Sequence, residues 1–433
     1  MSQYRAYPAY KDSGIEWIGQ VPEHWEVKPI CRVTSVNDDV LPDSTTDDTP
    51  IRYVDISSVG YMEGIKQASD MCFADAPSRA RRKASSGDVI ISTVRTYLKA
   101  VAAVTDEYAD CVFSTGFAVL RARHLDSSFL KWMVLNELLI QAIEAHSEGL
   151  SYPAINASAL VKLKSVIPPP EEQASIAATL DRETARIDAL IEKKTRFIEL
   201  LKEKRQALIT HAVTKGLDPN VKMKDSGVEW IGQVPEHWDV VQSRRLFSER
   251  KERARDDDKQ YTSSQKYGVI LQTEFMEREG RRIVLVEKGQ EILKHIESGD
   301  FLISMRSFQG GIEECTSSGC VSSAYVPLRP IKWIWHSFFK YLFKSNTYIQ
   351  ALQRTSDLIR DGQALRFENF SKVPLLHVPI SEQKDIALFL DNETARIDAL
   401  ISKSEQSIIL LKERRAAFIT AAVTGQIDLR GKQ

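Results

Sequence analysis

Cysteine is sparse in this chain, and the little there is forms no pattern. Cys31, Cys72, Cys111, Cys315 and Cys320 are an odd number, scattered, with no CxxC pair and no histidine at metal-ligand spacing. A disulfide framework and a zinc module are thereby excluded, and buried free thiols are expected. Long apolar runs are missing as well: no stretch approaches the roughly 20 residues that a membrane helix needs. The opening residues, MSQYRAYPAYKDSG, lack the charged-then-apolar pattern of a secretory leader. A cytoplasmic protein that does not enter a membrane is expected. There is no excess of charge of either sign, since 58 Lys and Arg face 59 Asp and Glu for a net charge of -1. Phosphate neutralisation requires clustered Lys and Arg, but an average over the whole chain hides local patches, so a nucleic-acid partner is not excluded. A GxxxxGK[ST] phosphate loop is also missing.

What is present is ordinary in composition and unusual in arrangement. Hydrophobic residues at 43% and charged residues at 27% suit a folded protein, and 433 residues suffice for two or more cores. The chain is written twice. KDSGIEWIGQVPEHW, from Lys11 to Trp25, returns as KDSGVEWIGQVPEHW from Lys224 to Trp238, and ETARIDALI from Glu183 to Ile191 returns unchanged from Glu393 to Ile401. The offsets, 213 and 210, are nearly equal, as a tandem duplication requires. Between these blocks the outline is kept while most residues change. GDVIISTVR after Gly87 parallels GDFLISMRS after Gly299, and CVFSTGFAVLR from Cys111 parallels CVSSAYVPLR from Cys320. Each reads as an apolar strand. Stretches with helical periodicity follow, Ser127 to His146 and Trp333 to Gln353, each leading to a polar loop with Gly149 or Gly362. A retained scaffold with divergent loops is what two domains reading different ligands would require.

Each variable region ends in a long helix. Pro168, Pro169 and Pro170 precede Glu171 and Glu172 in the first copy, and Ser381 precedes Glu382 and Gln383 in the second. The helices run to Thr214 and Thr424, with Gly216 and Gly425 placed to cap them. About 44 residues at 1.5 Å each give a rod of roughly 65 Å. Its apolar residues, Ile176, Leu180, Ile187, Leu190, Phe197, Leu201 and Leu208, and Ile386, Leu390, Ile397, Leu400, Leu411 and Phe418 in the second copy, recur at heptad-like spacing. A single apolar stripe needs a partner, so the two helices are expected to pack against each other, antiparallel.

With these blocks in view the chain resembles, over essentially its whole length, a specificity subunit of type I restriction-modification systems. The EWIGxVPxHW block and spacers opening at PPPEEQ (Pro168 to Gln173) and PISEQ (Pro379 to Gln383) carry the resemblance. The second spacer departs in having Val378 and Ile380 where the first has Pro168 and Pro170. The resemblance implies a mixed α/β architecture, an internal tandem repeat with pseudo-twofold symmetry. A first target-recognition domain would occupy residues 1–170, a helical spacer 171–214, a second recognition domain 215–380, and a second spacer with C-terminal tail 381–433. It further implies double-stranded DNA as ligand, read as a split asymmetric site. The partners would be two methyltransferase subunits and two restriction-translocase subunits. S-adenosylmethionine, ATP and magnesium would then sit on those partners and no cofactor or metal on this chain, which would be non-catalytic. No N/D-PPY or N/D-PPF methyltransferase motif is found. His24 and His237, beside Glu23 and Glu236 and flanked by Trp17 and Trp25 or Trp230 and Trp238, suit packing better than acid-base chemistry. Two other readings stay open: a specificity subunit whose partner fuses methyltransferase and nuclease, and a coiled-coil adaptor that never touches DNA.

Base-reading residues should lie where the copies diverge. In the first domain the candidates are the basic cluster Arg79, Arg81, Arg82 and Lys83, then Arg95, Tyr97 and Lys99 beyond the GDVIIST strand, and Ser151 with Tyr152 before the spacer. In the second they are Arg306, Ser307 and Gln309, then Arg360, Gln363 and Arg366, with Arg281 and Arg282 as phosphate contacts. Arginine pairs bidentately with guanine and glutamine with adenine, which is the reason for choosing these types.

Overall fold

The computed structural model describes residues 5–280, 292–304, 307–355 and 365–430. The chain divides into two compact units, Met1–Thr195 with Gln406–Gln433, and Arg196–Glu405. The boundary cuts both long helices, Pro170–Lys215 and Ile380–Val423, so each unit holds one variable domain and one half of each helix.

In the first unit a four-stranded antiparallel sheet runs in the order Val101–Ala103, Val89–Ser92, Phe117–Ala122, Thr34–Val36. Its inner strand Val89–Ser92 is buried throughout and apolar from Val89 to Ile91, because both faces are covered. Val89 and Ile91 join the core shared with the helices Ser127–Val134 and Glu137–Ala145, whereas Ile90 joins Phe113, Phe117 and Val119 on the other face. The segment CVFSTGFAVLR, expected as one strand, is two: Val112–Ser114 and Phe117–Ala122, broken at Thr115 and Gly116. Val112–Ser114 joins a five-stranded sheet, where it pairs in parallel with Pro50–Val54.

The second unit repeats the plan with different contents. Phe247–Glu249, Val326–Pro330, Phe301–Ile303 and Glu313–Glu314 form its four-stranded sheet, and helices His336–Phe343 and Asn346–Arg354 pack on it. The core is aromatic here: Phe247, Phe301, Phe339 and Phe343 meet edge-on or tilted at centroid separations of 5.2 to 5.7 Å. Both GD dipeptides place glycine at positive φ, 86° at Gly87 and 92° at Gly299, and bury the aspartate against an arginine. Asp88 receives Arg121, and Asp300 receives Arg250 at 2.6 Å.

The repeated blocks build the same joint twice. In the first unit the strand Glu26–Pro29 pairs antiparallel with Lys164–Ile167, which brings Trp25 to the start of the first long helix. There Glu172 accepts hydrogen bonds from Tyr7 Oη at 2.8 Å and Trp25 Nε1 at 3.0 Å, and faces His24 Nε2 at 2.6 Å. Burial against this carboxylate pushes the Tyr7 phenol well above its usual range. Gln173 turns back to Pro168 O at 2.8 Å and accepts Asp126 N at 2.8 Å. In the second unit Glu382 accepts Trp238 Nε1 at 2.9 Å and faces His237 Nε2 at 2.7 Å, while Gln383 bonds Val378 O and Trp335 N. The His-Trp and Glu-Gln pairs are thus two halves of one clamp. A carboxylate in the first turn also suits the helix dipole.

The same clamp receives the end of the other helix. Gly425 packs against Pro22 and Trp25, and Tyr10 Oη donates to its carbonyl at 3.1 Å; Gly216 packs against Pro235 and Trp238. Within the first unit Arg415 also pairs with Asp188, and within the second Arg205 Nε pairs with Asp398 at 3.0 Å. Contacts that advance along one helix and retreat along the other make the pairing antiparallel in each unit. The buried or half-buried seam runs through Gln173, Ala177, Leu180, Thr184, Ile187, Ile191 and onward to Ala212 in alternating steps of four and three, and recurs from Gln383 to Ala422. Leu180, Ile187, Leu201, Leu208, Leu390, Ile397, Leu411 and Phe418 lie on it, and Ile176 and Ile386 are buried beside it in the domain cores. Leu190, Phe197 and Leu400 do not: they are 43 to 46% exposed, because the seam passes through their neighbours Ile191, Ile198 and Ile401.

Candidate nucleic-acid interface

Two loops far apart in sequence close into one tip in the first unit. Ile155 N donates to Thr93 O at 2.8 Å, Thr96 N to Pro153 O at 3.3 Å, and Thr96 Oγ1 to Ser147 Oγ at 2.9 Å. Gly149, at φ +108°, makes the turn that lets Glu148 and Ala154 exchange two hydrogen bonds of 2.9 Å. On this tip the Arg95 guanidinium stands 5.1 Å over the Tyr152 ring. Arg95 and Lys99 flank the single turn Thr96–Leu98 and both hold left-handed backbone, φ 50° and 49°. Left-handed backbone at two non-glycine residues four positions apart costs free energy, and strain of this kind gathers where a side chain must be aimed. Around them Tyr97, Leu98, Leu150 and Tyr152 are exposed at 53, 42, 106 and 65%. Lys99 Nζ is 4.0 Å from Glu144, and Ser151 is exposed beside Tyr152. Arg95, Tyr97, Lys99, Ser151 and Tyr152 are therefore brought together, with Leu98 and Leu150 as members that the sequence reading passed over. An apolar Leu150 in a polar loop directly after a glycine was the available signal.

The run Arg79 to Lys83 does not act as one basic patch. Only Arg79 is exposed, at the strand end, where it pairs with Asp55 at 3.4 Å and its carbonyl accepts Thr115 N at 2.7 Å. Strand Ala80–Lys83, with a bulge between Ala80 and Arg82, lays Arg81 over Phe73 at 4.7 Å and half-buries Arg82 and Lys83. Desolvation lowers the Arg82 pKa, and its Nε has no hydrogen-bond partner among the described residues.

In the second unit Gln309 is exposed and Ser307 is buried, its Oγ accepting Ser304 N at 2.9 Å. Arg366 is exposed at the start of the helix Phe367–Lys372, its N–H donating to Asn369 Oδ1 at 3.0 Å. Arg281, Arg282, Arg306, Arg360 and Gln363 lie outside the described residues. Among the described residues, no helix is long and apolar enough to cross a membrane.

No protein-family model matches the chain. A curated protein of Methanocaldococcus jannaschii named as the MjaX type I restriction enzyme specificity subunit is 22% identical over 453 residues, spanning 95% of this chain and 96% of that one. Among solved structures, a chain from a study of complex assembly and conformational transition in a type I restriction-modification system superposes with TM-score 0.72 at 19% identity, over 94% of this chain and 99% of that chain. The HsdS subunit from Thermoanaerobacter tengcongensis gives 0.53 at 20% identity, over 94% and 98%. The chain is thus similar over nearly its full length to a type I restriction enzyme specificity subunit, and it shares the fold of the two solved chains.

Proposed function

We propose that the chain reads a split, asymmetric DNA site, one half with each variable domain, and presents it to methyltransferase and restriction subunits in the cytoplasm. The observation that carries this reading is the first unit's tip. A strained arginine, two exposed tyrosines and two exposed leucines sit on loops that diverge between the copies, while the clamp behind them is the same in both. Arginine supplies base-edge and phosphate contacts, and exposed aromatic and aliphatic side chains supply contact with bases or sugar. Unlike tips on like scaffolds give unlike half-sites.

The spacer helices set the gap. A helix of 46 residues is about 69 Å long, enough to serve half-sites one helical turn of DNA, about 34 to 36 Å, apart or somewhat more. Along these helices Leu190, Phe197 and Leu200, and Leu388, Leu400, Ile409 and Leu410, are 43 to 64% exposed. Apolar residues so placed suit protein partners. A twice-repeated rod suits two methyltransferase subunits, which would carry S-adenosylmethionine, followed by two restriction subunits with their ATP and magnesium.

The test is a mobility shift of the chain assembled with its methyltransferase subunits. Arg95→Ala and Tyr152→Ala should each weaken binding about 10-fold, at 1 to 3 kcal/mol per contact, and only on DNA that retains the first half-site. An assembly that binds random DNA as tightly as any selected sequence would leave the adaptor reading standing instead.

A further inference from the structure

In the second unit a cluster of ionisable groups lies outside everything the DNA-reading account uses. His295, in strand Lys294–Ile296, is 1% exposed, and its Nδ1 faces Asp258 Oδ2 at 2.7 Å. That carboxylate holds the proton on Nδ1 and leaves the Nε2 lone pair directed away from it. Among the described residues Nε2 has no hydrogen-bond partner, an unfavourable state for a buried polar nitrogen. Glu297 Oε1 is 3.7 Å from it, and one ligand atom each of His295, Glu252 and Glu297 lie within 4.8 Å of one another.

Charge does not balance there. Among the described residues, Asp258, Asp300, Glu252 and Glu297 face only Arg250 and Arg255, a surplus of two negative charges when His295 is neutral. Arg250 is 5% exposed and already committed: it grips Asp300 with two nitrogens, and reaches Glu252 Oε1 at 2.9 Å and Glu297 Oε2 at 3.0 Å. The other oxygen of each glutamate, Glu252 Oε2 and Glu297 Oε1, meets Arg255 at 3.4 and 3.6 Å, and that side chain is 55% exposed. A half-exposed guanidinium thus stands where a compact cation would fit.

We propose that His295, Glu252 and Glu297 form a site for a divalent transition metal of the zinc type, with Asp258 orienting the imidazole and Arg255 swinging into solvent when the ion enters. One imidazole nitrogen and two carboxylate oxygens, with water in the fourth position, are a donor set that Zn2+ accepts. With Arg255 turned out the surplus is three negative charges, of which the ion cancels two. The backbone already brings the ligands together, with His295 N donating to Glu252 O at 3.0 Å and Ala254 N to Leu293 O at 3.0 Å, so only side chains need turn. The ion would tie the segment 252–258 to the strand and stabilise the second domain, without catalysis. Counting back from the paired glycines Gly299 and Gly87, the first domain has Lys83 and Ser85 where the second has His295 and Glu297, so one site per chain follows.

The test is calorimetric titration of ZnCl2 into the full chain, stripped with chelator and then freed of it, alongside thermal unfolding. One equivalent should bind and raise the unfolding midpoint. Glu297→Gln should weaken that binding at least about 10-fold, Asp258→Asn by about 10- to 100-fold, and Arg255→Ala should tighten it. His295→Gln should abolish it, and if that variant does not fold, the half-exposed Glu297 carries the test. Absence of a stoichiometric equivalent overturns the proposal. So does an equivalent that Glu297→Gln leaves intact, which would be an adventitious ion only, held for instance by the exposed thiols of Cys31 and Cys72.

Discussion

Replacing Glu172 by alanine should be among the most damaging single changes in the first unit, and more damaging than the matching change at Glu382. Glu172 is 5% exposed and collects Tyr7, His24 and Trp25 at 2.6 to 3.0 Å, with Arg430 NH1 at 3.8 Å. A hydrogen bond to a charged group contributes about 1.5 to 3 kcal/mol, and each buried donor left unpaired costs about 1 to 3 kcal/mol. Trp25 is fully buried and Tyr7 nearly so, so neither can turn to water. The contributions overlap, and breaking a buried network of this kind costs about 3 to 5 kcal/mol. Glu382 has two such partners and a side chain that is 35% exposed, so Glu382→Ala should cost about 1 to 2 kcal/mol. Urea denaturation of both variants, followed by tryptophan fluorescence, measures the difference. A Glu172→Ala cost below about 1 kcal/mol, or one no larger than that of Glu382→Ala, would refute the clamp as the joint between helix and domain.

Three further outcomes follow from the same geometry. Gly425→Ala should cost more than Gly216→Ala: both need positive φ, but an added Cβ meets Pro22 Cδ at 2.3 Å at the first and only Trp238 Cζ2 at 3.4 Å at the second, so equal melting shifts would count against the close approach. Reversing the ion pair as Asp188→Arg with Arg415→Asp should restore the stability that either change alone removes, about 1 kcal/mol for a pair whose aspartate is half-exposed and whose arginine is 14% exposed; additive losses would deny the contact. Burial pushes the Cys111 and Cys320 thiols up to about 11 and raises that of Cys315 further, so they remain protonated near pH 8. A thiol reagent should therefore label Cys31 and Cys72 first in the native chain, and rapid labelling of more than two would show that the cores open.

Much of the architecture was legible because duplication writes it twice. The two long helices, the divergent domains between them and the antiparallel pairing follow from repeats whose spacing no chance process supplies. The seam was read one residue out of register in the middle of each helix, for a physical reason. Leu190 and Ile191 are both apolar, as are Phe197 with Ile198 and Leu400 with Ile401, so hydrophobicity cannot choose between them. The choice is made by polar members of the heptad, Thr184, Lys194 and Arg205, whose stems are covered while their polar ends hydrogen-bond or reach out. The clamp was half-legible: His24 and Trp25 looked like packing, Glu172 and Gln173 like helix-start residues, and their bond to each other crosses almost 150 positions. The tip was found in pieces, since Arg95 and Tyr152 each stood out while only the Thr93–Ile155 backbone pairing makes them neighbours.

Mapping methylated adenines across a genome tests the central claim most directly, in a host where this chain supplies the only specificity subunit and again after both spacer helices are lengthened by one heptad. The account predicts one two-part, non-palindromic motif whose unspecified middle widens in the lengthened protein while both outer sequences stay the same. An uninterrupted or palindromic motif, or outer sequences that change with helix length, would contradict it.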